Sequence, residues 1–230
     1  MDEQSLSDNI ANLLQRVRRS AGKSQYHNGD ILVIAASKGH LADDIRSAHG
    51  CGLVHFGESY LQEALQKMAA LEDLHLGWHF IGPIQSNKTA PIAQHFDWVH
   101  SVDRIKIARR LSEQRPQHLL PLKLCLQVNI SGEASKSGTT MAELPELARA
   151  VLELPNLQLR GLMAIPAANT GQDQQREVFT QMRKALAGLQ TLASDIDTLS
   201  MGMSADVENA ILEGATAIRV GTAIFGPRNR

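Results

Sequence analysis

The chain has 230 residues, with 23 Lys and Arg against 24 Asp and Glu, for a formal charge of −1. That length supports one large domain with a substantial core, and the balanced charge argues against nucleic acid, whose phosphate backbone needs a basic face. Cys51 and Cys125 show no metal-ligand spacing or disulfide framework, the start Met-Asp-Glu-Gln-Ser is unlike a signal peptide, and no apolar stretch approaches a membrane span, so a cytoplasmic domain with no metal and no membrane association is expected.

In chain order, an opening helix carries Leu6, Ile10, Leu13, Leu14 and Val17 on one stripe, with Arg16-Val-Arg-Arg19 as its wet face. The run Ile31-Leu-Val-Ile-Ala-Ala-Ser-Lys38, bounded by Asn28-Gly29 and Gly39, reads as a strand buried on both faces. Further strands are predicted at Leu53–Phe56, Leu76–Phe80, Trp98–His100, Leu122–Val128, Leu157–Ala164, Asp197–Leu199 and Ala217–Val220. Helical spacing lies between them: Leu61, Ala64, Leu65, Met68 and Leu71; then Leu144, Leu147, Ala148, Val151 and Leu152; then Val178, Phe179, Met182, Leu186 and Leu189. Pro145 belongs in the first turn of its helix, which sets that start near Met141–Leu144. Strands alternating with helices and no linker predict a single domain over residues 1–230, a closed (β/α)8 barrel behind one extra helix. The alternative is a doubly wound open sheet, which would want a glycine-rich first turn; Ser37-Lys-Gly-His40 is not one.

Lys38 emerges where the first strand ends, at the rim where such folds keep their chemistry. A partly desolvated amine there can lose its proton and attack an aldehyde, although a lysine surfacing beside a turn is the ordinary alternative. Barrels that bind phosphorylated ligands use the loops after strands seven and eight, here Ser200-Met-Gly-Met-Ser204 and Gly221-Thr-Ala-Ile-Phe-Gly226. Both supply glycine, hydroxyls and backbone N–H groups. Ser204 also stands where a cap for a helix over 205–213 would be, and Asp206 and Glu208 would have to face away from a bound anion. Arg219 sits inside an apolar strand, where a guanidinium needs either a structural ion partner or a ligand. Against a pyridine nitrogen it would donate a hydrogen bond and leave that nitrogen unprotonated. His79 and Asn87 are candidates for a polar pocket wall, with a satisfied core histidine the equal alternative for His79; Asn129 ends the fifth strand, Met163 lies in the Gly161-Leu-Met163 cluster, and Lys136 falls in a polar loop.

Taken together, Ala36-Ser-Lys38, Phe56-Gly-Glu58, Trp78-His-Phe-Ile-Gly-Pro83, Gln85-Ser-Asn-Lys-Thr89, Ser135-Lys-Ser-Gly138, Gly161-Leu-Met-Ala-Ile-Pro166, Ser200-Met-Gly-Met-Ser204 and Arg219-Val-Gly-Thr-Ala-Ile-Phe-Gly226 resemble the pyridoxal phosphate homeostasis family. The resemblance implies a barrel like the N-terminal domain of alanine racemase, with pyridoxal 5′-phosphate as cofactor. It implies that Lys38 forms the internal aldimine, that Ser200, Gly221 and Thr222 sit at the phosphate, and that Arg219 faces the pyridine nitrogen. Lys136 matches a family lysine linked to cofactor handling. The chain departs from the family pattern at Gly39-His40, where a second lysine is common, and at Ser59, where asparagine is common.

Racemase chemistry needs two acid–base groups flanking the substrate carbon. Neither Tyr26, ahead of the first strand, nor Tyr60, at the start of the second helix pattern, is an obvious partner for Lys38. The expectation is a non-enzymatic, monomeric carrier of pyridoxal phosphate, with apo-enzymes that use the cofactor as candidate recipients. A small racemase and a cofactor-free Schiff-base aldolase are the alternatives.

Overall fold

The computed structural model describes residues 3–26, 29–130, 137–166 and 171–227, so Lys136 lies outside the described residues. Eight parallel strands close on themselves in chain order: β1 Leu32–Ala36, β2 His55–Glu58, β3 Gly77–Phe80, β4 Trp98–Val102, β5 Leu122–Val128, β6 Leu157–Ala164, β7 Thr198–Ser200 and β8 Ala217–Val220. The barrel closes by pairing β1 with β8, which sets Ile34 opposite Arg219. The expected (β/α)8 architecture is what the chain adopts; the open sheet is excluded by that last pairing.

Helix α1, Glu3–Ala21, buries Leu6, Ile10, Leu13 and Val17, the expected stripe. Arg16 on its other side is paired with Glu208 at 2.6 and 3.0 Å, a structural contact rather than a basic patch. The remaining helices are α2 Ala42–Gly50, α3 Leu61–Ala70, α4 Thr89–His95, α5 Ile105–Gln114, α6 Leu144–Leu152, α7 Gln172–Leu189, α8 Val207–Leu212 and α9 Thr222–Phe225. Pro145 lies in the first turn of α6, where its missing N–H costs nothing.

Two apolar clusters reveal which way each strand faces. Ala35, Phe56, Phe80, Val99, Leu124, Leu162, Leu199 and Ile218 pack with Ile45, Ala64, Ile92, Ile107 and Phe179 of the helices in one contiguous core. Trp98, Cys125 and Met163 form a separate cluster. Each member of that cluster is the sequence neighbour of a helix-facing residue. Because side chains alternate along a strand, this second cluster occupies the barrel interior.

Strands β1, β3 and β7 start one residue later than expected, and three differences are larger. Strand β2 runs two residues later than predicted and ends on Glu58, because that carboxylate is buried and partnered rather than exposed. Strand β4 continues to Val102. Helix α8 is shorter than 205–213 and takes Asp206, not Ser204, at its N-cap position. Ser204 instead accepts the Ala223 N–H at 3.2 Å, tying the β7–α8 loop to the start of α9.

Candidate ligand site at the barrel mouth

The carboxyl ends of β1, β7 and β8 open into a cavity of about 290 Å³ whose walls include Lys38, Ser204, Arg219, Gly221 and Thr222. His40 and Ser59, the two departures from the family pattern, also line it. Lysine and arginine contribute to the walls and, among the described residues, no carboxylate lines them, so the cavity suits an anion.

Lys38 is half-buried, and its backbone is clamped on both sides. Lys67 reaches up from α3 and is itself buried, donating to the Ser37 carbonyl and to Glu58, each at 2.7 Å, and to Glu63. Ser37 Oγ donates to the same Glu58 oxygen at 2.7 Å, while Glu63 accepts the Gly39 N–H. Gly39 has φ of 77°, a left-handed turn that glycine adopts without strain. Burial raises the Glu58 proton affinity, and Lys67 and Ser37 oppose that rise. Burial also acts to raise Glu63, but Lys67 and the Gly39 N–H outweigh it and leave Glu63 below its ordinary value. Sequence reasoning missed this clamp, since Lys67 falls outside the apolar spacing of its helix.

Arg219 is buried in the cavity wall, donating from Nη1 to Ser200 Oγ at 2.7 Å and from Nη2 to the Ala164 carbonyl at 2.9 Å. Burial lowers its pKa to about 10, still far above neutrality. Beneath it runs a chain of imidazoles. Ser200 Oγ lies 2.9 Å from His100 Nδ1, His100 Nε2 lies 2.9 Å from His79 Nδ1, and His79 Nε2 lies 3.0 Å from His55 Nδ1. Strands β4 and β7 are not neighbours in the sheet, so the His100–Ser200 contact crosses the barrel interior.

Burial first, and Arg219 second, lower the His100 pKa from 6.5 to about 3; burial likewise holds His79 well below its ordinary value. Below pH 6.5 the unfolded chain therefore binds protons that the fold refuses, and stability must fall with falling pH. His100 should withdraw about 1.4 kcal/mol per pH unit between roughly pH 6 and 4, and His79 acts in the same direction. Urea unfolding at stepped pH measures that slope, and His100→Gln should flatten it by about 1.4 kcal/mol per unit whatever its own stability.

The structure gathers five of the expected site residues around one cavity: Lys38, Ser204, Arg219, Gly221 and Thr222. Ser200 sits below it, fully buried against Arg219. Asn129 lines an adjoining cavity of about 230 Å³ that shares Ile81 and Ile165 with the first. Three expected residues stand off both cavities. His79 is fully buried in the interior chain, the satisfied core histidine of the alternative reading. Met163 packs with Trp98 and Cys125 in the interior plug, because it faces the barrel axis below the mouth. Asn87 is exposed on the 3-10 turn Ser86–Lys88, carried outward by that turn. His55 and His100 were missed; their sequence signal was a histidine at inward-facing positions of successive strands.

Among the described residues no group of three or more His, Cys, Asp or Glu could hold a metal ion, and no helix is long and apolar enough to cross a membrane. Cys51 and Cys125 are both free thiols, and burial pushes Cys125 up to about 12.

A parallel eight-stranded barrel with an amine and a buried guanidinium at its mouth defines a class of anion-binding barrel, and comparison with known proteins narrows it. The alanine racemase N-terminal domain family matches residues 2–229. The pyridoxal phosphate homeostasis protein of Pseudomonas aeruginosa is 56% identical over 224 residues, covering 97% of this chain and 96% of that protein. The protein of the same name from Escherichia coli K12 is 48% identical over 227 residues, 97% of each chain. The structure of PipY from Synechococcus elongatus PCC7942 with pyridoxal phosphate bound is 38% identical, with a TM-score of 0.81 over 96% of this chain and 100% of that one. Alanine racemase from Corynebacterium glutamicum, at 16% identity, TM-score 0.73, over 99% of this chain and 62% of that one, shares the fold alone. The chain belongs to the pyridoxal phosphate homeostasis protein family, within the alanine racemase N-terminal domain fold.

Proposed function

We propose that this protein holds pyridoxal 5′-phosphate at the barrel mouth and carries it within the cytoplasm to enzymes that need it, without turning over a substrate. The observation that carries this reading is the cavity with Lys38 and Arg219 in its walls and, among the described residues, no carboxylate lining it. When bound, the cofactor supplies an aldehyde and an electron-accepting pyridine ring. Lys38 is the residue that would attach covalently through Nζ. Ser204, Gly221 and Thr222, on the loops after β7 and β8, would hold the phosphate with backbone N–H and hydroxyl groups. Arg219 can only donate, so facing the ring nitrogen it would keep that nitrogen unprotonated and the ring a weak electron sink. Gly39-His40 replaces the family's second lysine with a ring stacked on Phe225 at 4.6 Å.

Support for a carrier over a racemase comes from the tyrosines. Tyr60 is exposed at the head of α3, and Tyr26 lies under the Arg183 guanidinium at 3.6 Å; neither lines the cavity. Titrating the purified protein with pyridoxal phosphate, fixing with borohydride and mapping the labelled lysine tests the binding reading. Label on any lysine other than Lys38 overturns it. Deuterium exchange at Cα of a panel of amino acids tests the rest, and rapid turnover would make the protein a racemase.

Arg219→Glu should let the ring nitrogen take a proton. The absorbance of the bound cofactor should shift, because the protonated ring nitrogen then donates to the new carboxylate. An unchanged spectrum at full occupancy would place Arg219 away from the ring.

A further inference from the structure

We propose that Ser200 is a positioning residue for Arg219 rather than a phosphate ligand, its single proton committed to a chain of three histidines whose N–H groups all point away from the arginine. The proposal rests on the reading of Arg219 as a cofactor contact, and it assigns Ser200, His100, His79 and His55 a joint role in holding that contact.

Hydrogen-bond arithmetic leaves few choices. Each imidazole–imidazole contact, at 2.9 and 3.0 Å, needs one N–H and one lone pair. A neutral imidazole has one N–H, so consecutive rings must be arranged head to tail, and the chain has two uniform directions. In one, Ser200 donates to His100 Nδ1, His100 Nε2–H donates to His79, and His79 Nε2–H donates to His55. In the other every bond is reversed, Ser200 accepts from both Arg219 and His100, and its own O–H is released for another acceptor.

Arg219 decides between them. Its guanidinium is a donor only, it is charged, and it ends the chain in a buried position at the cavity wall. A cation in a poorly screened interior attracts lone pairs and repels N–H dipoles, which favours the first direction. At the far end the groups acting on His55 are Asp97, which draws a proton toward it, and Lys123, which opposes; Lys123 acts on His79 as well. Asp97 is exposed and Lys123 half-exposed, so solvent screens both more than it screens Arg219. Asp206 and Cys125 are the remaining groups that act on Arg219. Three neutral rings in series then present the negative end of their dipoles to a buried cation whose two bonded partners, Ser200 and Ala164, carry no charge.

The direction settles what Ser200 can do. Its proton goes to His100 and one of its lone pairs receives Arg219, so the hydroxyl has no hydrogen left for a phosphate. Phosphate recognition falls to Ser204, Gly221 and Thr222, which reach the cavity that Ser200 does not line.

Two measurements test this. The first uses cofactor-free protein labelled with [15N]histidine, whose two-bond proton–nitrogen correlations distinguish protonated from bare ring nitrogens. His100 and His79 are expected to be bare at Nδ1 and protonated at Nε2 at neutral pH; a protonated Nδ1 on His100 overturns the proposal. The second titrates wild type and Ser200→Ala with both pyridoxal phosphate and pyridoxal, whose affinity ratio isolates the phosphate. The ratio should stay within threefold of wild type while the spectrum of bound pyridoxal phosphate shifts, and Ser200→Thr should restore that spectrum. A ratio reduced more than threefold, or an unchanged spectrum, makes Ser200 a phosphate ligand or a bystander and sinks the idea. Should wild type bind no pyridoxal phosphate, the carrier reading fails on that result, while the tautomers of the cofactor-free protein still stand or fall on their own.

Discussion

Lys38→Ala is expected to abolish borohydride-stable attachment of pyridoxal phosphate while leaving a weaker, reversible affinity. Lys38 lines the cavity from the end of β1, together with Ser204, Gly221 and Thr222 from the segments after β7 and β8, β8 being the strand paired with β1. Truncating Lys38 deletes the one amine among the described cavity-lining residues, but it leaves Arg219 and the loop N–H groups in place. Binding should therefore become fully reversible on dialysis, and mass spectrometry after borohydride should find no cofactor on the variant. Retained stoichiometric label on a different lysine would show that the amine was never the point of attachment. Since Lys38 is half-buried at a turn, its truncation should cost less than about 1 kcal/mol of stability, so loss of label will not be a folding artefact.

Lys67→Met should have the largest effect on stability. Lys67 and Glu58 are both buried, joined at 2.7 Å, and removing one partner strands the other charge. Breaking such a pair costs about 3–5 kcal/mol, or a fall in Tm of about 10 °C for a domain of this size. Glu58 Oε2 already has no hydrogen-bond partner among the described residues, which sharpens the penalty. Adding Glu58→Gln to Lys67→Met should recover a good part of the loss, because the stranded charge goes with it. The clamp also brackets Lys38 through the Ser37 carbonyl and the Gly39 N–H, so Lys67→Met should slow covalent capture of the cofactor at Lys38. A loss under 1 kcal/mol by denaturant titration, with capture unchanged, would reduce the clamp to packing.

Some of this was legible from residues alone. Strand β1 announces itself as an apolar run, and β5, β6 and β8 have the expected bounds. Strand β2 was displaced because a buried carboxylate is not expected in a strand, and Lys67 from α3 together with Ser37 makes Glu58 tolerable there. The loops after β7 and β8 were legible for a related reason: topology assigns them a place, and their glycines and hydroxyls fit it. Ser204 was assigned to the wrong helix, since an N-cap pattern cannot reveal that the Ala223 N–H arrives from a different part of the chain.

The amino-acid order by itself determined the barrel, the lysine at its rim and the arginine in its last strand, because strand and helix periods are local properties of neighbouring residues. Only the closed structure decided that His55, His79, His100, Ser200 and Arg219 form one connected line through the interior. A strand buried on both sides shows no alternation to say which face meets the helices and which meets the axis. That orientation is set by register and closure among strands far apart in the chain, where β4 can touch β7 across a core that neither encodes alone.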